Sequence, residues 1–213
     1  MLKSLLYSFT TLFVVIDPVG TAAIFALMTR VVPPGERRRM AFKACALAVI
    51  ILFLFALGGE ALFAVLGIGM PAFRIGGGIL LFLLATDMVF ARPSGLRGIT
   101  ESEDMEAAVR EDLTVFPLAF PLLAGPGAMT TVVLLMGRTE GDPLAGAALL
   151  GLVALVMAIT LVLFLHAGRL LKILGRTGSN VVTRILGIIL AALAVQFVLD
   201  GLILAVAALR NSL

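Results

Sequence analysis

The sequence predicts an all-α membrane protein. It should carry six transmembrane helices arranged as two inverted three-helix repeats, with the first and fourth helices broken. Three observations predict this: a composition too apolar for a water-soluble core, six long apolar runs, and two motif pairs that recur at nearly the same offset.

The 213 residues are 61% hydrophobic and only 14% charged, against roughly 25% charged in soluble domains. The mean hydropathy is +1.16. Such a chain needs lipid as its solvent. The net charge is +3, with no basic stripe interleaved with aromatics, which argues against nucleic-acid binding. Cys45 is the single cysteine and His166 the single histidine, so the sequence offers neither an internal disulfide nor a Cys/His metal site. No nucleotide-binding glycine loop and no Ser/His set is evident, so an enzyme and a bound cofactor are both unexpected. Lys3 and the apolar stretch after it have some features of a signal peptide, but Asp17 and Pro18 interrupt it and further apolar segments follow.

The apolar runs cover about Leu5–Thr29, Ala44–Leu66, Phe73–Phe90, Leu113–Met136, Ala145–Leu165 and Ile185–Leu209. Each is close to the ~20 residues that cross a hydrocarbon core. They are continuous rather than alternating, so they read as helices. Basic residues set the orientation. Twelve follow the first, third and fifth runs, including Arg30, Arg37, Arg38, Arg39, Lys43, Arg169 and Arg184; four (Lys3, Arg74, Arg138 and Arg210) lie on the other side. The positive-inside rule then places both termini on the periplasmic face of a prokaryotic inner membrane. The acidic stretch within residues 96–112 reads as a cytoplasmic linker between a first repeat at 1–95 and a second at 113–213.

The repeat rests on two matches. "RIGGGILLFL" from Arg74 and "RILGIILAAL" from Arg184 agree at six of ten positions, at an offset of 110. "DPVGT" from Asp17 faces "GPGAMT" from Gly125, with Pro18 and Pro126 offset by 108. Halves with an odd number of spans enter the membrane from opposite sides, the inverted-repeat plan of many secondary transporters.

Asp17-Pro18 and Gly125-Pro126-Gly127 lie near the midpoints of the first and fourth runs. Proline removes a donor and clashes with the preceding turn, and glycine frees the backbone. Breaks at that depth are tolerated only against protein or a wet cavity, and one per half points to a binding site. The amides of Gly127, Ala128 and Met129 would meet a substrate carboxylate. Asp17 would meet an ammonium, Na⁺ or a proton, offsetting the cost of a carboxylate at mid-membrane. Asp before Pro is equally a helix N-cap. Gly20, Thr21, Thr130 and Thr131 complete the candidate set. Asp87 is a second candidate for a coupling ion, and Gln196, whose positional counterpart is Thr86, a further substrate contact.

The motifs "DPVGTAAIF", "PLAFPLLAGPGAMTTV" and "RILGIILAALAVQFVLDGL" resemble those of the MarC family of prokaryotic inner-membrane proteins, over nearly the whole chain. The resemblance implies a small two-half transporter near the lysine-exporter group, with relatives described as carriers of small neutral amino acids such as glycine and alanine. It implicates Asp17, Pro18, Gly20, Gly125, Pro126 and Gly127. The family pattern usually reads DPxGNxPxF. Here Thr21 replaces the Asn and Ala23 the second Pro, which implies a softer first break and altered binding chemistry.

The reading is therefore a secondary transporter of small neutral amino acids working by alternating access, as an ion-coupled carrier or an exporter. The rival is a cation channel or metal-ion exporter that uses Asp17 and unwound carbonyls as ligands. Expected partners are a small zwitterion, Na⁺ or H⁺, and the bilayer. The shortness of the chain is compatible with a homo-oligomer.

Overall fold

A computed structural model of the chain describes residues 2–90, 114–139 and 141–212; the acidic linker lies outside them. The described residues are helical almost throughout. The helices are α1 (Leu2–Ile16), α2 (Pro18–Met28), α3 (Pro34–Val65) and α4 (Met70–Phe90). They continue with a π-helical segment π1 (Thr114–Leu123), α5 (Pro126–Gly137), α6 (Pro143–Leu165) and α7 (Ala167–Ser212). Five stretches are long and apolar enough to cross a membrane: Lys3–Met28, Pro34–Val65, Met70–Phe90, Pro143–Leu165 and Thr177–Arg210. The fourth apolar run is divided between π1 and α5, so neither piece is long enough by itself.

Proline sets many of the starts. Pro18, Pro34, Pro126 and Pro143 stand at the head of α2, α3, α5 and α6, where the missing N–H costs nothing and the fixed φ suits a helix. Asp142 caps α6 by accepting from Leu144 N at 2.9 Å.

Two of the basic segments that lie between the apolar runs are helical. Arg37, Arg38, Arg39 and Lys43 lie in the first turns of α3, and Arg169, Lys172 and Arg184 lie in α7. Lys and Arg are good helix formers and reach water from beyond the hydrocarbon along flexible stems. The 32 residues of α3 exceed the ~20 needed to cross, which leaves room for such a polar extension. In α7 the chain turns at Gly175, with φ 66 and ψ −179, a conformation essentially reserved for glycine.

The molecule is packed inside and apolar outside. Leu12, Ile16, Phe25, Leu52, Leu134 and Phe164 are fully buried, whereas Leu54, Leu57, Ile188 and Ile203 are exposed, as a lipid-facing surface requires. Phe25 of α2 stacks on Phe164 of α6 with centroids 4.3 Å apart. The closest packing joins α4 to α7, which run antiparallel. A Cβ on Gly201 would lie 2.9 Å from Pro71 O, one on Gly78 2.8 Å from Ala194 O, and one on Gly187 3.1 Å from Ala85 O. Small residues let the two backbones meet along their length.

Candidate functional site

The first break is a single residue. α1 ends at Ile16, and Asp17 takes φ 48 and ψ 67, the left-handed region. Among the described residues it is the one non-glycine with positive φ. Asp and Asn tolerate that region because their short side chains bond locally. The Asp17 amide still donates to Phe13 O at 2.9 Å, and the Thr21 amide donates to Asp17 O at 2.9 Å. The helix therefore resumes at once in a new direction. The carboxylate is wholly buried and engaged at both oxygens. Oδ1 accepts from Gly20 N at 3.0 Å, and Oδ2 accepts from Thr183 Oγ1 of α7 at 3.0 Å. Thr21 Oγ1 bonds Asp17 O at 2.9 Å, so that hydroxyl is committed to its own helix.

The second break is built differently. π1 closes with Ala124 N donating to Ala119 O at 2.9 Å, a five-residue step. Gly125 is extended, with φ −75 and ψ 173, and contributes no side chain to cap α5. Pro126 has no N–H, and Met129 N is already bonded to Gly125 O at 3.0 Å. The expected trio of amides is thus reduced to Gly127 and Ala128, the first-turn donors that an α-helix leaves without intrahelical acceptors. Thr131 Oγ1 bonds Gly127 O at 2.8 Å, and the Thr130 methyl packs against Gly77 of α4. Gly127 faces α4 and α1: a Cβ there would lie 2.8 Å from Leu84 Cδ2 and 3.8 Å from Val15 Cγ1. The two breaks are therefore neighbours, with Val15 two residues before Asp17 and Gly127 two after Gly125.

Asp17, Pro18, Gly20, Thr21, Gly125, Pro126, Gly127, Ala128, Thr130 and Thr131 thus gather around two adjoining breaks. Gln196 does not join them. Its Nε2 donates to Asp200 Oδ1 at 2.7 Å. It lies thirteen residues along α7 from Thr183, roughly 20 Å at helical rise. An amide on an exposed helix face is more easily satisfied by a carboxylate one turn away than across the bundle. Asp87 lies in the last turn of α4 and is half-buried. His166 ends α6 at the surface, its Nδ1 2.9 Å from Val162 O. Thr183 was not anticipated: it is 166 residues from Asp17, and a lone Thr gives no local signal.

The two helix starts differ in electrostatics. The positive pole of α2 is met from within by the Asp17 side chain, whereas Gly125 gives that of α5 no side-chain cap.

The sequence pattern described as MarC family integral membrane protein matches residues 2–206. A UPF0056 membrane protein of Aquifex aeolicus is 40% identical over 202 residues, covering 92% of this chain and 90% of its own. The UPF0056 membrane protein YvbG of Bacillus subtilis is 34% identical, covering 95% of each chain. YhcE of Escherichia coli is 34% identical, covering 91% of this chain and 89% of its own. No solved structure matches. This chain belongs to the MarC family of integral membrane proteins.

Proposed function

We propose that this protein is a secondary transporter, rather than an enzyme, and that it carries small neutral amino acids such as glycine and alanine across the inner membrane by alternating access. The observation that carries the reading is the pair of adjoining mid-span helix starts, one capped by a buried carboxylate and one without a side-chain cap. A zwitterion has a charge for each. Its carboxylate meets the Gly127 and Ala128 amides at the positive pole of α5. Its ammonium, or a coupling Na⁺ or proton, lies on the Asp17 side. In the described state Asp17 is closed by Gly20 and Thr183, so cation binding requires the Thr183 bond to yield.

An inverted repeat is supported by how the spans pair. Exchanging first with fourth, second with fifth and third with sixth turns each principal contact into another that is present. α1 and α2 touch α6, and π1 and α5 touch α3. α1 and α2 touch α7, and α5 touches α4. The motif-matched α4 and α7 lie antiparallel, as helices related by an in-plane axis must. The charge bias then puts both termini outside.

The test is counterflow of labelled alanine in proteoliposomes of the purified protein. Saturable exchange that unlabelled alanine competes is expected. An ohmic current without exchange would show a channel instead.

A further inference from the structure

Away from the breaks, at the end of the bundle that carries both termini, three spans meet on one side chain. Arg138 follows α5, so its cation lies at the negative pole of that helix. Its Nη2 donates to Asp200 Oδ2 of α7 at 2.6 Å, with the two side chains 31% and 24% exposed. Its guanidinium lies 4.9 Å from the Tyr7 ring centroid of α1 and 5.3 Å from that of Phe197 of α7. Gln196 holds the other Asp200 oxygen. The outer ends of both broken spans are therefore tied to each other and to α7 through one guanidinium.

The other end lacks this tie at the matching position. At the offset that relates Pro18 to Pro126, Arg138 corresponds to Arg30, and Arg30 is exposed. Among the described residues two buried donors also lack acceptors in this state: Tyr7 Oη and Arg74 Nε. Tyr7 is the residue stacked on Arg138, and a Cβ on Gly201, beside Asp200, would lie 3.1 Å from Arg74 Cβ. Buried donors without partners raise the energy of the state that buries them, so closure at this end has an opposing term built into it.

We propose that Arg138 is a latch: with Asp200, Tyr7 and Phe197 it closes the terminus-bearing end of the transport path, and breaking its ion pair opens the two breaks to that side. The inference rests on the transporter reading, but its test does not use transport. Met129→Cys is placed in the Cys45→Ala protein and labelled in vesicles with a membrane-impermeant thiol reagent. The terminus-bearing side is located by a tag after Leu213.

Labelling from that side should be slow in the parent. It should rise about ten-fold or more in Arg138→Gln and in Asp200→Asn, the population change that follows loss of one charge-assisted hydrogen bond. Arg138→Lys keeps the charge and the ring contacts and should stay within about three-fold of the parent. Asp200→Asn is close to isosteric, and monodisperse elution confirms that each variant folds. Unchanged labelling in both neutral variants overturns the latch, as does faster labelling only from the opposite side, or Arg138→Lys labelling as fast as Arg138→Gln. If labelling responds as expected while alanine counterflow is absent, the latch stands and the substrate assignment falls. If counterflow is present and labelling is unchanged, the transporter reading stands and the latch falls.

Discussion

The two mid-span breaks share a proline at the first helical position but solve opposite problems. At the first, the cap is an Asp whose carboxylate is turned inward onto Gly20 N and Thr183 Oγ1. At the second, the cap is a glycine with no side chain, and the preceding turns are wound as a π-helix. The first break is a closed structural joint built on a buried acidic side chain. The second presents the helix-start amides of Gly127 and Ala128, which Gly125 leaves without a side-chain cap. A bundle can hold a helix start in lipid by supplying the cap itself or by leaving that cap to something that comes and goes. The first break does the former; at the second, Gly125 supplies no side-chain cap.

The difference is broken most severely at Gly20. An added methyl would fall on Asp17 Oδ2 and lie 2.5 Å from Thr183 Oγ1. Moving the carboxylate aside would break its bonds to Gly20 N and Thr183 Oγ1. Gly20→Ala should cost about 3 kcal/mol or more, read as a lower melting temperature and poor recovery of folded protein. Gly58→Ala is the control, since nothing lies within 4 Å of a Cβ there; it should be neutral or slightly stabilising. An unchanged melting temperature in Gly20→Ala would mean that the joint is looser than drawn.

Asp17 separates cap from charge. Asp17→Ala loses the cap and places a β-carbon residue without local bonding at φ 48, which should cost about 2 kcal/mol. Asp17→Asn caps about as well and tolerates the same φ, so its melting temperature should match the parent. If the charge meets an ammonium or a coupling cation, alanine counterflow is lost in Asp17→Asn while the fold is kept. Normal counterflow in that variant would leave Asp17 as a joint and nothing more.

Thr183 gives a smaller effect on the same joint. Thr183→Val keeps the shape and removes the donor to Oδ2, at about 1.5 kcal/mol. Thr183→Ser should recover most of it. Equal melting temperatures for Val and Ser would show that the Asp17–Thr183 bond contributes nothing to stability.

Much of this contrast was legible in the sequence. Asp-Pro and Gly-Pro-Gly at the middle of apolar runs are local signals, since proline and glycine act on the backbone within one turn. The close approach at Gly78, Gly187 and Gly201 belongs to the α4–α7 pair and shows only in the fold. What was hidden is long-range or depends on geometry. The Asp17–Thr183 bond joins residues 166 apart. The π-helical winding of Thr114–Leu123 depends on which carbonyl each amide finds, and composition does not reveal that. Gln196, a candidate substrate contact by its place in the sixth run, instead serves Asp200 one turn away. Basic residues mark the ends of the apolar runs, yet α3 and α7 continue through them as helix.

The comparison is sharpest where the second break is made to resemble the first. Gly125 has φ −75 and ψ 173, which any L-residue adopts without strain. Gly125→Ser would supply the missing cap, its hydroxyl accepting from the first-turn amides as Asp17 accepts from Gly20. Relative to glycine a serine cap gains only a few tenths of a kcal/mol, so the melting temperature should hold or rise slightly. If those amides receive a substrate carboxylate, the serine competes with it, and the half-saturating alanine concentration in counterflow should rise by about ten-fold. Stability and transport would then move in opposite directions at one residue, which a merely structural kink does not produce. A serine variant with a normal melting temperature and unaltered alanine dependence would show that the second break, like the first, is only a joint.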